Sequence, residues 1–155
     1  MEEDALRNLR NLRALRLDNN RLQDMNGIVS SLKNLRWLNV STNGLEWFDF
    51  AFLPRSLEWL DIHNNMVKKL GNYYGLSDGY NLTSIDASFN SIEELDSDMF
   101  LTGLTHIYLN NNRINNISAG TFSGLASLER VELHANKLVY MNKSVIAAEN
   151  IGGWS

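Results

Sequence analysis

An α/β repeat solenoid, curved like a horseshoe with a parallel β-sheet on its concave face and loops or short helical turns behind, is the fold this 155-residue sequence predicts. Three observations predict it. One spaced apolar pattern recurs six times. The asparagine that closes each copy steps along the chain by 23, 22, 25, 22 and 24 residues. Within every copy the apolar residues alternate with period two, as a short strand requires.

The copies run Leu12, Leu15, Leu17, Asn20, Leu22; then Leu35, Leu38, Val40, Asn43, Leu45; then Leu57, Leu60, Ile62, Asn65, Val67. The same spacing returns at Leu82, Ile85, Ala87, Asn90, Ile92, at Leu104, Ile107, Leu109, Asn112, Ile114, and at Leu128, Val131, Leu133, Asn136, Leu138. This is the leucine-rich repeat period. It divides a single domain, 1–155, into repeats at about 12–34, 35–56, 57–81, 82–103, 104–127 and 128–149, with a partial repeat before them. Leu15 and Leu17 about Arg16 point one way from a strand, and stacked copies make the parallel sheet. The asparagine turns the chain out of the strand. Its amide can bond backbone groups that a neighbouring coil would otherwise leave orphaned, so Asn20, Asn43, Asn65, Asn90, Asn112 and Asn136 form a ladder. Leu6, Leu9, Ile28, Leu32, Phe100, Phe122 and Leu125 close the wedge behind the sheet, because one coil cannot bury its apolar side alone.

Composition fits one elongated domain, with 44% hydrophobic residues to line the coils. No run approaches the ~18 apolar residues of a membrane span. Met1–Leu6 is acidic where a secretory signal is basic and then apolar, so the chain as given is expected to carry no address. A formal charge of −4, with lysine and arginine scattered along the sequence, argues against nucleic acid. A basic or neutral partner is expected.

Cysteine is absent, which points two ways. It is ordinary for a cytosolic scaffold, whereas extracellular repeats of this kind carry disulfide caps. Neither end looks capped. Residues 2–11 begin as though mid-repeat, and the pattern is lost after Met141, so the chain reads as an interior slice of a longer solenoid.

The run Leu12–Phe50, with SLEWLDIHNN at Ser56–Asn65 and LGNYYGL at Leu70–Leu76, resembles the ectodomain of insect Toll-related receptors. Trp37, Trp59 and the GNYYGL segment carry the resemblance beyond the repeat itself. It implies an extracellular recognition glycoprotein of a single-span signalling receptor, in innate immunity or development, that binds a protein ligand or another cell-surface receptor. The membrane would be met only through a span outside this fragment. No catalytic residue, cofactor or small-molecule substrate is implied. The alternative from composition is a cytosolic scaffold for protein–protein interaction.

Four sequons occur, at Asn39, Asn81, Asn116 and Asn142. Asn81, Asn116 and Asn142 are expected outside the strands, where a glycan has room; Asn39 is expected mid-strand on the concave side, modified or not.

Stacking in register makes equal pattern positions lateral neighbours at ~4.8 Å. One row is Ala14, Trp37, Trp59, Ser84, His106, Arg130, in which Trp37 and Trp59 touch. They are a partner's anchor or mere surface cover. The next row is Arg16, Asn39, Asp61, Asp86, Tyr108, Glu132. Asp61 beside Asp86 is unfavourable unless relieved; a basic ligand, a calcium ion and plain solvation all remain open, though two carboxylates leave calcium most of its ~6 to 8 oxygen positions to water. We expect no metal site. A third row is Asp18, Ser41, His63, Ser88, Asn110, His134. His63, Ser88 and Asp86 mimic a hydrolase triad, but open strands supply neither oxyanion hole nor pocket, so no enzyme is expected. His106 and His134 fall in different rows and share no metal. The 25-residue step places extra chain at Gly71–Tyr80. Its Tyr73 and Tyr74 are binding candidates, or the loop folds Tyr74 or Leu76 back into the core.

Overall fold

The computed structural model describes residues 5–141. Among them are ten short strands: β1 (Ala14–Arg16), β2 (Trp37–Asn39), β3 (Phe48–Asp49), β4 (Trp59–Asp61), β5 (Leu70–Gly71), β6 (Ser84–Asp86), β7 (Glu94–Leu95), β8 (His106–Tyr108), β9 (Asn116–Ile117) and β10 (Arg130–Glu132). One strand from each copy of the pattern enters a single parallel sheet, in the order β1-β2-β4-β6-β8-β10. Equal pattern positions pair throughout, as in Leu38 with Leu60 and Leu60 with Ile85. Short parallel strands joined by a whole coil each are what a period-two pattern repeated every 22 to 25 residues must form.

The middle residue of each strand points into the core. Leu38, Leu60, Ile85, Ile107 and Val131 are fully buried, while Leu15 in β1 is only partly so. Behind the sheet an aromatic column runs across coils. Phe50 meets Phe100 edge-on at 6.4 Å, and Phe100 stacks on Phe122 at 5.9 Å. Ile28, Leu32 and Leu125 join this layer. Leu9 does not; it is 46% exposed, since no described coil lies on its outer side.

Five asparagines tie coil to coil. Asn90 Nδ2 donates to Ile62 O in the preceding coil and to Ala87 O in its own, and its Oδ1 accepts from Val67 N. Asn43, Asn65, Asn112 and Asn136 repeat the arrangement. Asn20 is exposed and bonds only Leu17 O and Asp18 O of its own turn. The chain leaves the strand through the residue just before each asparagine, which corrects the expectation that the asparagine makes the turn. Asn19, Thr42, Asn64, Phe89, Asn111 and Ala135 all have φ between 52° and 58°.

The rear of the molecule carries little helix, a 3₁₀ turn at Phe50–Phe52, and two small parallel pairs, β3 with β5 and β7 with β9. Asp49 holds this region. Its Oδ1 accepts from Ala51 N at 2.8 Å, and its Oδ2 accepts from Tyr73 N at 2.9 Å. Gly71 is required there, because a Cβ would lie 2.8 Å from Phe48 O and 3.0 Å from Asp49 Oδ2.

Candidate functional site: the concave face

The outward residues of the six paired strands build this face. Trp37 in β2 and Trp59 in β4 are direct partners, and their indoles stack with centroids 4.8 Å apart and planes within 6°. The ring spacing equals the strand spacing, so the stack runs along the solenoid and its two outer faces look toward the neighbouring strands. Those neighbours are small: Ala14 pairs with Trp37, and Ser84 with Trp59. Neither side chain is large enough to cover an indole. Both tryptophans are half-buried.

Beside the stack lies the row Arg16, Asn39, Asp61, Asp86, Tyr108, Glu132. Its charges are arranged unequally. Arg16 pairs with Asp18 at 2.9 Å; its hydrogen bond, together with further bonds from the local backbone and Asn19, holds that carboxyl at about 2. Arg130 Nε donates to Glu132 Oε1 at 2.9 Å. Both ends of the row are therefore internally paired. Asp61 and Asp86 are direct lateral partners. Asp61 Oδ1 accepts from His63 N at 2.9 Å and meets His63 Nδ1 at 2.6 Å. Asp86 Oδ1 accepts from Ser88 N at 3.0 Å and Ser88 Oγ at 2.6 Å. Each carboxylate is relieved in part by its own turn, and Asp61 is only 6% exposed.

The triad mimic dissolves in this geometry. Ser88 Oγ donates to Asp86, and His63 Nδ1 meets Asp61, so Ser88 and His63 are each engaged by a carboxylate and not by one another. The ligating atoms of Asp61, His63 and Asp86 lie within 4.8 Å of one another, the one such group among the described residues. The pairing of His63 with Asp61 was not legible in row order, because it joins two positions two apart on one strand exit. Tyr108 stacks with His106 at 6.4 Å, a contact along the strand that the rows also conceal.

The candidates outside this face separate from it. Tyr73 and Tyr74 are 85% and 73% exposed and meet each other edge-on at 5.1 Å. Leu76 packs back on the core while Tyr74 does not. Asn72 clamps the loop, donating to Leu76 O at 2.7 Å and accepting from Leu76 N at 2.8 Å. Asp49 and Asn72 were missed in the sequence; an Asx residue just before an irregular segment was the available signal. Of the sequons, Asn81 is exposed ahead of β6. Asn116 is exposed but lies within β9, not outside the strands. Asn39 ends β2, half-buried, with its Oδ1 accepting from Ser41 N at 2.9 Å. Asn142 lies outside the described residues.

Comparison with known proteins agrees with this architecture. A leucine-rich repeat family model matches residues 80–138. Toll-like receptor 7 of Drosophila melanogaster is 45% identical over 121 residues, which cover 78% of this chain and 8% of that protein. Human lumican is 32% identical over 166 residues, covering 89% of this chain and 48% of lumican. The chain thus spans less than half the length of either relative. Among solved structures, a TLR13–ssRNA13 complex superposes with a TM-score of 0.63 at 27% identity, covering 88% of this chain and 23% of that one. The leucine-rich repeat domain of APL1B superposes with a TM-score of 0.72 at 19% identity over 97% of this chain and 44% of its own, a likeness of fold alone. No helix among the described residues is long and apolar enough to cross a membrane. The chain is a leucine-rich repeat protein whose sequence resembles a segment of the ectodomain of an insect Toll-related receptor.

Proposed function

We propose that the chain is an extracellular protein-recognition module of a Toll-type transmembrane signalling receptor, and that it binds a protein ligand or another cell-surface receptor on its concave face. The observation that supports this most is the indole stack with only Ala14 and Ser84 beside it on the neighbouring strands. A rigid, half-buried aromatic pair is the kind of anchor that dominates interface energies. The end at Trp59 borders Asp61 and Asp86, so it suits a basic side chain that lies over the ring and reaches the carboxylates.

A nucleic-acid reading of this face has one observation behind it, the likeness to a protein solved with single-stranded RNA. The face itself is against it. Its arginines at both ends are paired to carboxylates, and its centre is acidic. A phosphate backbone needs the reverse.

The test is an array of secreted and cell-surface proteins probed with the 155-residue chain. For the partner found, Trp59→Ala is expected to weaken binding on the order of tenfold or more, mainly through faster dissociation. Asp86→Asn should slow association and flatten its salt dependence. Binding that survives both changes but is lost on shortening residues 71–80 would move the site to the tyrosine loop. Expression through a eukaryotic secretory pathway tests the compartment, with Asn81 or Asn116 as the expected glycan carrier by mass spectrometry. No occupancy at any sequon in a folded, secreted sample would favour the cytosolic scaffold.

A further inference from the structure

Lysine and arginine are weighted toward the first coils of the solenoid. Residues 5–36 hold seven of the fourteen lysines and arginines and only two of the eighteen acidic residues. Arg10, Lys33 and Arg55 stand at equivalent points of three successive coils, 23 and 22 residues apart. Coil stacking sets them in a line. Contacts between successive coils hold the register: Asn34 Nδ2 donates to Arg10 O at 2.6 Å, and Glu58 N donates to Arg36 O at 2.8 Å.

Two surface depressions meet along this line. One, of about 450 Å³, is lined by Arg7, Asn8, Arg10, Ser31, Lys33 and Asn34. The other, of about 490 Å³, includes Ser30, Lys33, Ser56, Arg55 and Tyr80. Lys33 belongs to both, so the two depressions adjoin and together span three coils. Among the described residues, no aspartate or glutamate lines either part. Arg10 and Lys33 make no ion pair among the described residues. Arg55 is held in place, donating to Gly79 O at 3.3 Å with its guanidinium 5.0 Å over the Tyr80 ring.

We infer that the groove from Arg10 through Lys33 to Arg55 binds a sulfated glycan chain. A row of cations at the coil repeat matches a polymer with regularly recurring anions. Sulfates stay ionised at every physiological pH, so their attraction is not titrated away. Between the cations stand the amides of Asn8 and Asn34 and the hydroxyls of Ser30, Ser31 and Ser56, which suit sugar hydroxyls. The one aromatic ring in the groove, Tyr80, is covered by Arg55 and offers no stacking platform to a base, which sets a nucleic acid lower. The site is separate from the indole stack and stands without the reading of that face.

The test uses the 155-residue chain and a size-defined heparin oligosaccharide in titration calorimetry at several salt concentrations. Binding is expected, weakening steeply as salt rises. The triple variant Arg10→Gln, Lys33→Gln, Arg55→Gln should bind on the order of tenfold more weakly or worse. The charge-matched variant Lys68→Gln, Arg113→Gln, Lys137→Gln should bind as the parent does, as should Trp59→Ala. Circular dichroism melting of each variant separates lost binding from lost fold. Equal losses in the two triple variants would reduce the effect to diffuse charge and overturn the inference. Undiminished binding of desulfated oligosaccharide would overturn it too. Single-stranded RNA of matched charge that binds more tightly through the same three residues would assign the groove to nucleic acid instead.

Discussion

Phe89 sits where the chain turns out of its strand, with φ of 54° and 52% of its surface exposed. The left-handed conformation costs a residue with a Cβ about 1–2 kcal/mol, and asparagine tolerates it best. Asn19, Asn64 and Asn111 fill the same position in three other coils. Phe89→Asn is therefore expected to stabilise the chain by about 1 kcal/mol, seen as a rise of roughly 2–4 °C in melting temperature. A fall would mean that the ring's contacts outweigh the backbone strain. Legibility at this scale was uneven for a physical reason. The ladder asparagines could be read because a buried amide has few substitutes that satisfy both a donor and an acceptor in the coil before it. The turning position could not, because Asn, Thr, Phe and Ala all occupy it and the backbone geometry is imposed by the coil. His63 on Asp61 was likewise hidden, being a matter of side-chain direction and not of spacing.

At the scale of the element, the sheet strands were legible in place and register, although each ends one residue before the second apolar position, as at Arg16 before Leu17. The small rear pairs were not. Two residues such as Leu70–Gly71 are too short for any periodicity to show. What defines this pair is a close approach of backbones. Gly71→Ala would drive a methyl against Phe48 O and against Asp49 Oδ2, which is fixed by its bond from Tyr73 N. The expected loss is about 1–3 kcal/mol, typical of forcing extra volume into a packed site. It should be accompanied by faster proteolysis within residues 72–80, because Asp49 would release Tyr73 N and the loop with it. Unchanged cleavage alongside a lowered melting temperature would separate the loop's order from the β3–β5 pairing.

For the whole molecule the decisive property is that each sheet strand pairs only with the strands of adjacent coils, so stability is close to a sum along one axis, with the Phe50–Phe100 contact reaching past the third coil. The groove of Arg10, Lys33 and Arg55 belongs to this scale as well; three cations far apart in sequence become a line only once the coils are stacked. The same geometry makes position along the axis matter energetically. Leu109 is fully buried in the fifth coil, between two others, whereas Leu15 in the first is partly exposed. Leu109→Asp places a carboxylate in a core with nothing to pair it, costing several kcal/mol against a total of ~5 to 15 kcal/mol, so the array should lose its cooperative melt. Leu15→Asp meets water at one side and disturbs only the first interface, so it should lower the melting temperature by a few degrees at most, with the later coils intact by hydrogen exchange. Equal damage from the two substitutions would show that the solenoid unfolds as one indivisible unit and that the nearest-neighbour description fails for a chain of this length.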